Sequence, residues 1–386
     1  MNILIQLGHP AHFHLYKNVG KRLMADGHQV LSVIKTKDIL ETLLKDAGLP
    51  YVNINQRTHR GSKFGVLWDM IMRDIRLIRL CRKHKIDLLT GSTPDIAHAG
   101  WWLRKWRVNT GEDDMAVVPL FGKVAGPFVQ VYAVPTVCDT GALEPKTVHY
   151  PSYHELAYLH PNHLKPDPNI VEAYGIDTSK PYFVMRFASL NAHHDSGIKG
   201  INTEIAQRLI DILAPHGRIY ITSERPLEPQ FEQYRIKINP LDMHHVMAFS
   251  SLYIGDSQTM AAEAGVLGVP FVRFNDFVGR IGYLREQEDV YELGYGIHAS
   301  VLPADSDIRR NDGTVQPSGV EELYKRVEQL VAMSSEERRA TFAARREKML
   351  SDKIDCAKFL TWFIENYPQS VDAVRMADKS FWEKFK

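Results

Sequence analysis

The segment 252–270 carries the residue types best suited to hold a phosphate group. It reads LYIGDSQTMAAEAGVLGVP, which predicts a strand ending at Gly255, a small polar turn, and a helix over Met260–Leu267. The first backbone N–H groups of a helix lack partners and lie at the positive end of its dipole, so they attract anions. We therefore predict a diphosphate site at the Gly255–Thr259 turn. The side chains that add donors to this turn are Ser257, Gln258 and Thr259.

Glu263 lies one helical turn beyond Thr259. At that distance its carboxylate can accept hydrogen bonds from ribose hydroxyls, which would extend a diphosphate site into a nucleotide site. Asp256 in the same turn would repel a diphosphate unless its carboxylate points away. The alternative interpretation is an N-capped helix of an ordinary α/β protein, with Glu263 solvated.

Three histidines follow the first predicted strand, Ile3–Leu7. The stretch HPAHFH places His9, His12 and His14 in the loop before a helix predicted over His14–Asp26. An imidazole titrates near neutrality, so a histidine at a strand end can serve as a general base. The alternatives are local helix capping and metal binding. Because His12 and His14 are two residues apart with no carboxylate nearby, they make a poor tetrahedral set, and we predict no metal.

Two further polar segments follow predicted strands. MRFASLNAHHDSGIKG follows the strand Tyr182–Phe187, where Arg186 can bind a phosphate through two hydrogen bonds. His193 and His194 in the same segment form a polar cluster, either at the ligand or in a surface loop. NTGEDD lies at the end of a strand predicted at Arg107–Asn109. Its Glu112 could position an acceptor hydroxyl or orient a histidine. The alternative is that Glu112 is simply solvated.

The elements that would position these residues alternate between strands and helices. This rhythm occurs twice and predicts βαβ units with parallel sheets, an α/β fold. Ligands of such sheets bind at the carboxyl ends of the strands, where the polar segments above lie. Prolines cluster between 151 and 168, which indicates a domain boundary. We predict domains at 1–170 and 171–353, with a helical tail over 354–386 that packs back onto the first domain.

Composition limits the function. A chain of 386 residues exceeds one ordinary core, so two domains are expected. The net charge of +1 gives no overall attraction to nucleic acid, and we predict no nucleic-acid partner. Three widely spaced cysteines fit a reducing compartment. Without a signal-like start or a membrane-spanning run, the protein is expected in the cytoplasm, where it could still lie on a membrane surface.

One segment has the composition of a membrane-surface element. Ile96–Arg107 reads IAHAGWWLRKWR, with three tryptophans among Arg104, Lys105 and Arg107. Tryptophan and basic residues together are typical of helices that lie at a lipid interface. The alternative is a helix whose tryptophans pack in the core. Phe64–His84, which is rich in arginine, is a second candidate face.

The segment DMHHVMAFSSLYIGDSQTMAAEAGVLGVP resembles the nucleotide-sugar site of GT-B glycosyltransferases. The most similar patterns are those of the N-acetylglucosaminyltransferase that makes lipid II and of the UDP-N-acetylglucosamine 2-epimerases. The resemblance implies two Rossmann-like domains that face each other across a cleft. It implies that Glu263 holds the ribose and that backbone near His244 contacts the uracil. His12 falls on the histidine of the Gly-Gly-His motif of the lipid-II enzyme.

The chain also resembles a family of predicted bacterial and archaeal glycosyltransferases. The matching stretches are HPAHFH, YHELAYLHP at Tyr153–Pro161, and Arg-Phe followed by Ala-His-His-Asp. This resemblance covers nearly the whole chain but names no substrate. With the GT-B resemblance, which implies metal-independent chemistry, our leading hypothesis is transfer of a sugar from a UDP-sugar donor to a glycan or polyprenyl-linked acceptor in cell-surface polysaccharide synthesis. No cofactor besides the donor is implied.

Two other functions remain open for the sequence. The first is an epimerase of the same fold, which would eliminate UDP and add it back, with Glu112 or Asp113 as acid or base. The second is a non-catalytic scaffold that binds a nucleotide sugar without turnover. The turns at Asn191–Gly197 and Gly255–Gln258 keep the scaffold open, because they depart from the glycine-rich turns of the similar enzymes.

Overall fold

The computed structural model describes residues 1–35, 39–55, 63–188, 200–299 and 319–386. The chain divides into two compact units. The first comprises Met1–Leu164 together with Asp352–Lys386, and the second is Lys165–Ser351. The boundaries predicted from the sequence, after 170 and 353, fall a few residues later. The segment 354–386 lies in the first unit.

The first unit contains a parallel sheet of seven strands in the order β3-β2-β1-β4-β5-β6-β7. The apolar run of β1 is almost entirely buried, as expected where helices cover both faces of a parallel sheet. The strands are β1 (Asn2–Leu7), β2 (Gln29–Lys35), β3 (Tyr51–Asn55), β4 (Leu88–Gly91), β5 (Trp106–Thr110), β6 (Val131–Pro135) and β7 (Thr147–Tyr150). The helices between them are α1 (Pro10–Ala25), α2 (Leu40–Asp46), α3 (Lys63–Lys83), α4 (Pro94–Leu103) and α5 (Pro119–Val124).

The second unit contains a parallel sheet of five strands in the order β12-β11-β10-β8-β9. These strands are β8 (Tyr182–Phe187), β9 (Arg218–Ser223), β10 (Leu252–Gly255), β11 (Phe271–Phe274) and β12 (Gly294–Ile297). Its helices are α6 (Pro168–Glu172), α7 (Thr203–Leu213), α8 (Met243–Ala248), α9 (Gln258–Leu267), α10 (Gly282–Arg285), α11 (Gly319–Ala332) and α12 (Ser335–Asp352). Three helices in the tail follow: α13 (Cys356–Glu365), α14 (Gln369–Arg375) and α15 (Lys379–Glu383).

The first helix begins earlier than the sequence analysis predicted. We predicted a start at His14, but α1 begins at Pro10. Proline suits the first position of a helix, because its missing N–H would have no partner there. The His9 side chain caps the helix by accepting a hydrogen bond from the Ala11 N–H. The prediction that His12 and His14 lie in a loop is therefore wrong, since both lie in α1.

In each sheet the strand order reverses at one place. The first sheet reverses between β1 and β4, and the second between β8 and β10. Connections leave on opposite faces of the sheet at such a point, which opens a crevice outside the carboxyl ends of the strands. The segments after β1, β8 and β10 are therefore the places where ligand-binding residues are expected.

Asp355 anchors the tail within the first unit. Its side chain is fully buried at the start of α13 and accepts hydrogen bonds from His163 Nε2 at 2.8 Å and Asn162 Nδ2 at 3.2 Å. The Lys358 N–H donates a third, at 2.9 Å, which caps the helix. Burial alone would raise the pKa of Asp355, but these donors favour the carboxylate and lower the pKa to about 2.

We predict that Asp355 makes the first unit sensitive to acid. Because the pKa is lower in the folded chain than the usual value near 4, its stabilisation is complete above about pH 4 and is lost as the pH falls towards 2. The loss amounts to about 2 kcal/mol. Denaturant unfolding across this pH range measures it. Asp355→Asn keeps a capping oxygen but cannot titrate, so its free energy of unfolding should not show this loss as the pH falls. If the wild type and the variant lose stability in parallel between pH 4 and pH 2, Asp355 is not the cause.

Candidate functional site

The carboxyl ends of β8 and β10 meet at the reversal of the second sheet. Arg186 on β8 pairs in register with Gly255, the last residue of β10. A Cβ atom at Gly255 would lie 2.6 Å from the Tyr253 hydroxyl and 3.1 Å from Arg186 Cβ. Glycine is thus required at position 255 for the Arg186 and Tyr253 side chains to approach this strand end.

The helix predicted after this strand end is α9, and it begins at Gln258, two residues earlier than predicted. Ser257 is its N-cap, and the Ser257 hydroxyl accepts a hydrogen bond of 3.4 Å from the Met260 N–H. The N–H groups of Gln258 and Thr259 have no acceptor within the helix, by the geometry of any helix start. At the other end, Gly268 closes the helix in the left-handed conformation at φ +80°.

The Asp256 carboxyl group is engaged by backbone. It is nearly fully buried and accepts a hydrogen bond of 2.6 Å from the Ala188 N–H, while its own carbonyl accepts from Asn275 Nδ2. Burial raises the pKa of Asp256 to about 6, although the Ala188 hydrogen bond lowers it. Asp256 therefore holds the ends of β8, β10 and β11 together. Because its carboxylate is buried against the Ala188 N–H, Asp256 has a structural contact within the sheet.

Glu263 and His244 form a buried pair. Glu263 is only 5% exposed, so the alternative of a solvated side chain is wrong. His244 Nε2 lies 3.0 Å from Glu263 Oε1, which joins α8 to α9. An ionised carboxylate can only accept, so the imidazole carries its proton on Nε2 in this contact. The resemblance predicted that Glu263 holds the ribose and that the backbone near His244 contacts the base. The structure brings these two residues into direct contact.

Arg186 is held from one side. Its Nη2 atom donates a hydrogen bond of 2.6 Å to Glu224 Oε1, just beyond the end of β9. The Nε atom is buried and has no hydrogen-bond partner within the described residues. Glu224 thus fixes the plane of the guanidinium, and one-fifth of the Arg186 side chain stays exposed. The sequence analysis did not single out Glu224 or Tyr253, and no local motif marks either one. His193 and His194, predicted at the same site, lie outside the described residues.

In the first unit, His12 is fixed by the backbone. Its Nδ1 atom accepts a hydrogen bond of 3.1 Å from the Gly8 N–H, just after β1. The neutral ring therefore carries its proton on Nε2, which makes that nitrogen a donor. His14 is buried, and its ring lies 5.0 Å from the Tyr158 ring and 5.2 Å from the Phe13 ring. His14 is thus packed against both rings, and a catalytic role for it stays a prediction.

Glu112 follows β5 and has a histidine neighbour. Glu112 Oε2 lies 3.2 Å from His154 Nδ1. Burial lowers the pKa of His154 to about 4, although the charges of Glu155 and Asp113 oppose this. His154 is therefore neutral near pH 7. The sequence analysis quoted the stretch around His154 only for its resemblance and gave the residue no role. The strands β1 and β5 flank β4, so the carboxyl ends of β1 and β5 lie about 10 Å apart.

Two searches for other chemistry gave negative results. Over the described ranges, no group of three or more His, Cys, Asp or Glu is arranged to hold a metal ion. Among the helices that the structure describes, none is long and apolar enough to cross a membrane.

Comparison with known proteins identifies the fold. No protein-family model and no curated protein matches the chain. Among solved structures, it is similar to MnaA of S. aureus in complex with UDP, with a TM-score of 0.64 and 11% identity over 96% of this chain and 98% of that one. It is also similar to a putative UDP-N-acetylglucosamine 2-epimerase from Listeria monocytogenes (TM-score 0.61, 12% identity, 95% and 96% covered).

A glycosyltransferase is among the similar structures as well. The spinosyn rhamnosyltransferase SpnG, complexed with spinosyn aglycone, matches with a TM-score of 0.60 and 15% identity over 95% of this chain and all of that one. Similarity along the whole of both chains, with two parallel sheets, confirms the predicted α/β class and the GT-B fold. At these identities the comparisons establish the fold alone.

Proposed function

We propose that this protein transfers a sugar from a nucleotide-diphosphate donor, a UDP-sugar, to a glycan or lipid-linked acceptor in cell-surface polysaccharide synthesis. One observation carries the proposal: at the reversal of the second sheet, Arg186, the N-terminus of α9 and Glu263 offer what a nucleoside diphosphate requires. They supply a guanidinium, unpaired N–H groups and a buried carboxylate. Solved structures of this fold titled as complexes with UDP or thymidine diphosphate add support.

The proposed position of the nucleotide-sugar donor follows from the negative charge of its diphosphate. The diphosphate lies against the Gln258 and Thr259 N–H groups and the Arg186 guanidinium, and the ribose hydroxyls donate to Glu263. The helix dipole and the guanidinium stabilise the charge that develops on the departing diphosphate, so the reaction needs neither metal nor cofactor. Backbone near His244 contacts the base. The reaction takes place in the cytoplasm, at the inner face of the membrane if the acceptor is polyprenyl-linked, with Ile96–Arg107 as the membrane contact.

On the acceptor side, the roles follow from which atoms can accept a proton. Because the Gly8 N–H occupies the lone pair on His12 Nδ1, His12 offers a donor at Nε2 and positions the acceptor oxygen. The Glu112 carboxylate, next to the neutral His154, accepts the proton of the acceptor hydroxyl.

His12→Ala should slow transfer strongly but leave donor binding intact. The side chain belongs to the first unit and donates no group to the nucleotide in the proposed pose. Calorimetry with UDP should give wild-type affinity, while release of UDP from a UDP-sugar in the presence of acceptor falls by about 100-fold, within the range that one positioned catalytic group contributes. Weakened UDP binding in this variant would contradict the role.

The second candidate function is a UDP-sugar 2-epimerase. It is favoured by the TM-scores of 0.64 and 0.61 for the MnaA complex with UDP and for the putative epimerase. Incubation with UDP-N-acetylglucosamine alone separates the two functions. We expect the sugar nucleotide to remain unchanged without acceptor, whereas formation of its 2-epimer would overturn the transferase proposal. Binding of UDP-sugars with no turnover under any condition would instead indicate a non-catalytic scaffold.

A further inference from the structure

Three tryptophans of the first unit are exposed. Trp101 and Trp102 lie in the last turn of α4, and Trp106 begins β5, with exposed fractions of 47%, 70% and 42%. The alternative that they pack in the core is wrong. The Trp101 and Trp102 rings meet edge to face with centroids 5.6 Å apart, whereas the Trp106 ring contacts the tail. Arg107 packs against Gly100 of α4, so Trp106, the residue before it, points to the other face of the sheet. A soluble domain rarely exposes two large aromatic side chains side by side, so Trp101 and Trp102 indicate an interaction site.

Basic residues lie close to these two tryptophans in the chain, because Arg104 and Lys105 directly follow α4. The helices α3 and α4 share one apolar core, which includes Cys81 and Ala99 near their last turns. Asp87 Oδ1 lies 3.9 Å from Lys105 Nζ. The tryptophan patch is defined as the two adjacent tryptophans and the basic residues at the ends of the two helices: Trp101, Trp102, Arg82, Lys83, Lys85, Arg104 and Lys105.

Positive charge is concentrated in the part of the chain that contains the tryptophan patch. The segment 63–107 holds ten Lys and Arg against four Asp, a net charge of +6, while the whole chain carries +1. Indole rings prefer the headgroup level of a bilayer, and clustered basic residues bind anionic lipid. A second copy of this chain fits poorly, because it would bring two sets of these cations face to face. We propose that the tryptophan patch docks on the surface of an anionic lipid bilayer.

The patch lies at the opposite edge of the first sheet from the candidate acceptor residues. It surrounds the amino ends of β4 and β5, whereas Gly8 and Glu112 follow the carboxyl ends of strands in the same sheet. Strands of this length separate the two edges by roughly 15 Å. Docking therefore leaves the carboxyl edge of the first sheet free, so membrane binding and donor binding can fail independently. The inference does not depend on the proposed sugar transfer.

Co-sedimentation of the full chain with vesicles tests the proposal. We expect binding to vesicles of phosphatidylcholine mixed with phosphatidylglycerol, weak binding to phosphatidylcholine alone, and weaker binding as salt increases. Replacing both Trp101 and Trp102 with alanine should lower the affinity at least about tenfold, since interfacial binding scales with the apolar area that enters the membrane. UDP affinity, measured in parallel by calorimetry, should stay at the wild-type value.

The chain offers a matched control. Trp68 on α3 is 62% exposed but lies about 21 Å from Arg82 along the helix axis, so Trp68→Ala should not change vesicle binding. A second variant, Arg104→Glu with Lys105→Glu, keeps the rings and should lower binding about 25-fold or more. Absence of wild-type binding to anionic vesicles, or an equal loss in Trp68→Ala, would overturn the proposal. So would a wild-type dimer that the patch variants dissociate, which would assign the patch to a second copy.

Discussion

Replacing Glu263 with alanine should weaken UDP binding by at least about 100-fold. In the proposed pose the carboxylate accepts two hydrogen bonds from the ribose, and each bond to a charged group is worth roughly 1.5–3 kcal/mol. Glu263 is buried against His244, so water cannot replace the lost acceptor without cost. Calorimetry with UDP at fixed pH and salt measures the change in affinity.

Two further variants make this result specific. Glu263→Ala also leaves His244 Nε2 buried without its acceptor, which lowers stability by about 1–3 kcal/mol. Glu263→Gln keeps an oxygen towards His244 and removes only the charge, so we expect a folded protein with an intermediate loss of UDP affinity. Glu328→Gln removes an exposed carboxylate that pairs with Arg208 in the same unit, and it should bind UDP as the wild type does. Unchanged UDP affinity in both Glu263 variants would show that the nucleotide lies elsewhere.

Arg186→Ala should cost about 100-fold in affinity for UDP while affinity for uridine stays constant. The guanidinium acts only on the diphosphate in the proposed pose, and a charge-assisted hydrogen bond to phosphate is about twice as strong as a neutral one. Competition of UDP, UMP and uridine against a fluorescent nucleotide measures the difference. Equal losses for uridine and UDP would mean that Arg186 acts through the fold and not through the phosphates.

Replacing Glu224, the partner of Arg186, provides a control in which UDP affinity should not fall. Glu224 accepts a hydrogen bond from Arg186 Nη2 and competes with a phosphate for the guanidinium charge. Glu224→Gln keeps the shape of the contact and removes that competition, so UDP affinity should be maintained or rise. A fall similar to that of Arg186→Ala would mean that orienting the guanidinium matters more than its available charge.

Local patterns in the sequence were enough to predict the strand, turn and helix around Gly255. A buried apolar run, small polar residues and a following helix lie within about twenty residues, so the pattern does not depend on distant parts of the chain. The pairing of Glu263 with His244 could not be predicted from residue properties, because it depends on how α8 packs against α9. The hydrogen bond between Arg186 and Glu224 similarly requires β8 and β9 to be neighbours.

Short strands and helix starts were the weak points of the sequence analysis. Strands β3, β6, β7 and β12 were not predicted; a 3-10 helix joins β6 to β7, which interrupts the usual strand–helix rhythm there. Helix α1 was predicted to begin four residues too late because Pro10 was treated as part of a loop, although proline is favoured at a first helical position. For the tryptophans, composition could not tell a side chain that faces the core from one that faces outwards.

A crystal structure of the full chain with bound UDP tests the central claim most directly. We predict that the diphosphate contacts the N–H groups of Gln258 and Thr259 and the Arg186 guanidinium, and that the ribose hydroxyls donate to Glu263. Electron density for UDP at another part of the chain, with the start of α9 and Glu263 making no contact to it, would contradict the account.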